Sequence, residues 1–297
     1  MIRQLFTGIL GCLLVVVTGI TGLAAPRYAA AVDEAQWQEL CRFDDPRLVE
    51  ISGMAPSIRH PHVVWVHNDS GDAAILYAVN TRTCETVGEL RLRGVKARDF
   101  EGLASSTDEQ KRAFLWVGDI GDNRDSWPDV SIHRVREPDR LGSRTRPATT
   151  WRFTYPDRPH NAETLMVLGE RGWVATWQLA AGGLYSIPAL AQRPTGRVSI
   201  AERVGDVGSL ITDGAMHPSG HGYVLRDYLD VHVFQGLPPG RRIAKLALPP
   251  QAQGEAIAWA PDGRSVFIAS EKDPRLIRVD LPWWVLASLR PPDHLVD

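Results

Sequence analysis

The chain has 297 residues, 44% of them hydrophobic and 23% charged, with a formal net charge of −2. That length buries a full core in one domain or two, and the composition is that of a globular protein. Lys and Arg are scattered with no basic stripe, which argues against nucleic acid as a partner. No Gly-x-Ser-x-Gly elbow, His-Glu-x-x-His, glycine-rich phosphate loop or Cys-x-x-Cys occurs, so those four chemistries lack their signatures.

Met1-Ile2-Arg3 is a short basic start, and the run from Phe6 to Ala25 is almost wholly apolar, followed by small residues through Ala31. This is the three-part pattern of a secretory signal over residues 1–31, with an uncleaved single-helix anchor as the alternative. The apolar run continues well past Cys12, which argues against a lipid-modified cysteine. A secreted, extracytoplasmic protein is expected, touching membrane only through an uncleaved N-terminal segment. Export leaves Cys41 and Cys84, an even pair that bridges in an oxidising compartment; two separate buried thiols are the alternative.

Residues 32–297 read as one all-β domain with a short tail from about 283. Strand-like runs recur at Val63–Val66, Ile75–Val79, Phe114–Val117, Trp173–Thr176, Gly222–Leu225 and Val266–Ala269, bounded by Asp, Gly, Pro and Asn. One unit repeats five times, opening at Ser52-Gly53-Met54-Ala55, Glu101-Gly102-Leu103-Ala104, Glu163-Thr164-Leu165-Met166, Asp213-Gly214-Ala215-Met216 and Glu255-Ala256-Ile257-Ala258. Openings lie roughly 40–60 residues apart, the length of a four-stranded propeller blade with variable loops. Five blades are expected, or six if Leu141–Tyr155 or Gly183–Gly208 hides a degenerate one. The last unit lacks a fourth strand, and Trp37–Phe43 is spare, so an N-terminal strand is expected to close the ring.

First strands line a propeller's channel, so Glu101, Glu163, Asp213 and Glu255, with Ser52 as the uncharged fifth, are expected at one channel mouth. Loops after the second strands reach the same mouth with Asn68, Asp69, Asp119, Asn123, Trp177 and Arg226, and segments leading into first strands bring Asp99, His160 and Asn161. Carboxylates around one axis repel and raise each other's pKa. A hard cation, protonated carboxyls acting as general acids, or a wet, screened channel each resolves the conflict. Asp69-Ser70-Gly71-Asp72 and Asp119-Ile120-Gly121-Asp122-Asn123 read either as cation loops or as turns bonded locally. Trp177 either stacks on a ring-shaped ligand or simply packs.

The string from Ile51 through Asp72, with Asp99-Phe100-Glu101, Gly118–Asn123 and His160–Glu163, resembles a family of secreted bacterial β-propellers of largely unassigned function. These are similar to TolB-like, phytase-like and gluconolactonase-like propellers. The resemblance implies a channel-mouth cation, calcium, held by Glu101, Glu163, Asp213 and Glu255. The expected function is cation-dependent binding of a small polar molecule or sugar by a monomer. Two alternatives stand: a hydrolase with those carboxylates catalytic (metal-assisted on a lactone or phosphoester, or a glycosidase), and a non-catalytic platform for a cell-surface component.

Overall fold

The computed structural model describes residues 35–289; the signal or anchor expected over 1–31 lies outside them. The chain opens with β1 (Gln36–Arg42) and continues into β2 (Ile51–Pro56), β3 (Val63–Asn68), β4 (Ile75–Asn80) and β5 (Thr86–Arg93). Next come β6 (Phe100–Thr107), β7 (Ala113–Asp119), β8 (Val130–Arg136), β9 (Gly142–Pro147) and β10 (Thr149–Thr154). The third group is β11 (Ala162–Leu168), β12 (Arg171–Thr176), β13 (Gly182–Ser186), β14 (Val198–Ile200) and β15 (Glu202–Val207). The rest are β16 (Asp213–Met216), β17 (Gly222–Arg226), β18 (Asp230–Gln235), β19 (Arg241–Ala247), β20 (Gly254–Trp259), β21 (Ser265–Ser270) and β22 (Asp273–Asp280).

These strands form five sheets, one per repeat, and the molecule is a five-bladed β-propeller. Each repeat opening starts an innermost strand: β2, β6, β11, β16 and β20 contact one another in sequence, and β20 returns to β2. A separate apolar cluster fills each of the five clefts between neighbouring blades. Burial between blades, rather than one central core, therefore holds the ring. Three Trp residues, each at most 1% exposed, are anchored by their indole N–H groups: Trp65 on Glu137, Trp116 on Ser106, and Trp259 on the Ala215 carbonyl.

Closure follows the expected route. β1 pairs antiparallel with β22 as the outer strand of the last blade. The Cys41–Cys84 disulfide then ties β1 to the β4–β5 turn of the first blade, with Cα atoms 5.6 Å apart. Covalent and hydrogen-bonded closure meet at one seam.

The two stretches weighed as a hidden sixth blade are outer strands shared between blades. β9 leaves the second blade and adds in parallel to β5, while β14 leaves the third blade and adds in parallel to β10. Each covers a sheet edge that would otherwise present unpaired backbone groups. The segment expected as a tail forms α1 (Trp283–Ser288), and Val285 and Leu289 bury against the apolar cleft of blades four and five. No helix among the described residues is long and apolar enough to cross a membrane.

Candidate functional site: the acidic mouth

Four of the five ladders between a first and second strand are interrupted at one place. The register slips between Ile51 and Gly53, Phe100 and Leu103, Ala162 and Thr164, and Gly254 and Ile257. Ser52, Glu101, Glu163 and Glu255 lie within those slips. A bulge bends its strand and re-aims the side chain it carries. The fourth blade has no slip, and Asp213 pairs squarely with Arg226.

Ser52, Glu101 and Glu255 are buried. Ser52 Oγ donates to Glu101 Oε2 at 2.6 Å. Asp69, from the loop after β3, and Asp99, at the approach to β6, join Glu101 so that one oxygen of each lies within 4.8 Å of the others. Gly121 permits this approach: a Cβ there would stand 2.5 Å from both Asp99 Oδ2 and Glu101 Oε1. The Glu163 charge acts on Glu101, and the Asp69 charge acts on Asp99. Gly121→Ala should retain the fold, since only side-chain tips must yield, but should weaken any ligand of the trio by about tenfold; titration beside the wild type checks this.

Burial comes first among the causes that push these carboxyls up, and neighbouring carboxylates add to it. Asp99 rises to about 7, Glu163 to about 7 and Glu255 to about 8. Glu101 and Asp213 stand well above the ordinary carboxylate range for the same leading reason.

The four carboxylates expected to share one ion divide. Glu101 belongs to the close trio and Glu163 bears on it through its charge. Asp213 Oδ2 instead accepts from the Ile257 amide at 2.8 Å, and Glu255 Oε1 accepts from Gln253 Nε2 at 3.1 Å. Asp99 lies outside the ligand set expected from the repeat because it precedes the opening by two residues; its signal was the acidic pair Asp99–Glu101 itself.

Most expected ligand-binding side chains are occupied in building the mouth. Asn68 bridges the Arg47 carbonyl and Asp72. Asp119 accepts the Arg98 and Asp99 amides and fixes the approach to β6. His160 is held through Nε2 by Asp157 and Tyr185 and through Nδ1 by Gln178. Asn161 accepts the Asp122 amide and donates to Glu163 Oε1 at 2.8 Å, with the exposed Asn123 beside it. Arg226, fully buried, donates to the Ala256 and Ala269 carbonyls and to Gln251. Trp177 remains half-buried, as does Tyr228, a residue the repeat did not single out.

No family model matches the sequence, and no curated protein matches it. Among solved structures the chain is similar to the PQQ-bound form of aldose sugar dehydrogenase from Streptomyces coelicolor, at 13% identity and a TM-score of 0.48 over 83% of this chain and 98% of that one. It is likewise similar to glutaminyl cyclase from Myxococcus xanthus, at 13% identity and a TM-score of 0.47 over 84% and 98%. Likenesses at this level carry nothing about activity or ligand.

Proposed function

We propose that the protein is an exported propeller whose acidic mouth binds a divalent cation, Ca²⁺ by its all-oxygen donors, and through it a small polar or sugar-like ligand. The observation that carries this reading is the trio Asp69, Asp99 and Glu101, in which the buried Asp99 Oδ1 has no hydrogen-bond partner among the described residues. A buried carboxylate oxygen without a protein donor is costly unless a positive charge or another polar partner offsets it. A hard cation taking about six to eight oxygens supplies that offset. Asp69, Asp99 and Glu101 would hold it, with Ser52 fixing the Glu101 carboxyl and Gly121 leaving the space. The disulfide belongs in an oxidising compartment, which supports export. The likeness in motif to secreted propellers accords with both points.

When bound, the ion would polarise a ligand oxygen. Glu163, oriented by Asn161, would receive or return a proton beside it. This placement supports metal-assisted hydrolysis as the second reading.

Calorimetric titration of chelator-treated protein with CaCl₂ should show saturable binding and a raised melting temperature. Asp99→Asn or Glu101→Gln should abolish both while the far-ultraviolet dichroism stays unchanged. A wild type that gives neither heat nor a melting shift overturns the proposal.

A further inference from the structure

The two ends of the channel differ in chemistry. The acidic side chains stand where the inner strands begin. Where β2, β6, β11, β16 and β20 end, all five blades line a cavity of about 390 Å³. Its width is written in the repeat: Ala55, Ala104, Ala215 and Ala258 line it from four blades, and Leu168 and Gly169 from the third. Longer side chains at those positions would fill the space. The volume is more than twice the roughly 150 Å³ that holds one benzene in a protein interior, and it falls within the roughly 300–1,000 Å³ usual for small-molecule sites.

The wall is fixed by bonds that cross from blade to blade. Ser106 Oγ donates to the Gly169 carbonyl at 2.7 Å, and Trp259 Nε1 to the Ala215 carbonyl at 3.2 Å. His217 Nε2 donates to the Gly263 carbonyl at 3.0 Å while its Nδ1 accepts the Ser219 amide at 3.1 Å, the pattern of a neutral imidazole. On the first blade the buried Glu137 accepts from Ser57 Oγ and the Ile58 amide. Pro56, Pro218 and Pro261 stiffen the rim. No Asp, Glu, Lys or Arg lines the cavity among the described residues. The polar groups on offer are neutral. They are the half-buried hydroxyls of Ser105 and Thr107, and the free backbone edges of the inner strands, each the last strand of its sheet. Beside them Leu168 and Met216 are only half-buried, and Ile58 at the rim is 44% exposed. An ion entering here would give up water for no countercharge, whereas an apolar body would gain by leaving water.

We infer that this end of the channel is a second binding site, for a neutral and largely apolar molecule of two or three fused rings carrying a hydroxyl or carbonyl. Its body lies against the alanines, Leu168 and Met216, and its polar group meets the strand edges and the Ser105 or Thr107 hydroxyl. The wall is built before any ligand arrives, so a rigid body that loses little freedom on binding is rewarded over a flexible chain. Neutral hydrogen-bonding groups suffice for the polar end, because none of the side chains around it carries charge. The site stands apart from the acidic mouth and does not depend on a cation there.

Calorimetric titration of the wild type with 1-naphthol at neutral pH should show one molecule bound per chain and a raised melting temperature. The charged counterparts 1-naphthoate and 1-naphthylmethylammonium, added as competitors, should displace naphthol at least about tenfold less well than naphthol displaces itself. Met216→Trp and Ala104→Leu each carry bulk into the cavity. Each should weaken naphthol by about tenfold or more while its own melting point stays within about 5 °C of the wild type. The competition in the wild type decides even where a filled variant folds poorly. Absence of naphthol binding, displacement by either ion as effective as by naphthol, or folded variants that bind naphthol unchanged overturns the inference.

Discussion

Between pH 6.5 and 8.5 the metal-free protein should lose stability on the order of 5 kcal/mol, lowering its melting temperature by about 10 °C or more. The groups responsible are Asp99, Glu101, Glu163, Asp213 and Glu255, all held above the ordinary carboxylate range chiefly by burial. In the unfolded chain these carboxyls ionise near pH 4. The folded protein therefore keeps protons that the unfolded chain has already released. Stability is complete below the unfolded value and falls as pH rises through about 7 for Asp99 and Glu163 and about 8 for Glu255. The window matters because other groups act with the opposite sign below it. Asp119 and Asp273 have lowered values, and burial pushes His67 down to about 4, so all three add stability as pH climbs toward about 6.5. Above that point only the mouth carboxyls remain to titrate downward. Millimolar Ca²⁺ should displace the protons of Asp99 and Glu101 and flatten the decline. Melting curves in chelator across this range, repeated with CaCl₂, check both parts; a flat profile in chelator would show that the carboxyls are not held as described.

Reduction of the Cys41–Cys84 bond should cost about 4 kcal/mol, or roughly 10 °C in melting temperature. The bridge spans 43 residues of sequence, so its loss releases a long loop in the unfolded chain. The native side of the balance worsens as well. β1 pairs with β22 of the last blade, Leu40 packs into the cleft it shares with the first blade, and the disulfide is the covalent tie to that blade. Without it, fraying of β1 opens the ring at its seam. A Cys41→Ser/Cys84→Ser variant melted beside the oxidised and reduced wild type measures this, with thiol titration confirming reduction. An unchanged melting point in fully reduced protein would mean that the ladder alone suffices.

Much of the fold was legible because the repeat is written in small residues. Gly53, Gly102 and Gly214 sit where inner strands approach their neighbours closely, so the openings could be aligned despite drift elsewhere. β9 and β14 were not legible as shared strands. Gly142–Pro147 is polar and Val198–Ile200 only three residues long, and parallel pairing with another blade leaves no periodic trace in either. At the mouth, repeat equivalence places Cα atoms, whereas the bulges aim side chains. Glu101, Glu163 and Glu255 lie in slips and Asp213 does not, and its carboxyl turns to the Ile257 amide. The Asp119–Asn123 loop is a locally bonded turn that also positions a first-strand carboxyl: Asp122 caps Ser126 and Trp127 while its amide bonds Asn161, which holds Glu163.

The shared outer strands have a consequence for how such a protein changes over evolutionary time. Repeat arrays whose units touch only their neighbours gain and lose units readily, since each addition brings its own complete module. Here the rim of the first blade is completed by a segment of the second, and that of the second by a segment of the third. Excising either donor blade would strip its predecessor as well. The five blades are thus interlocked rather than modular on one half of the ring, and insertions should be tolerated in loops long before a blade count other than five is.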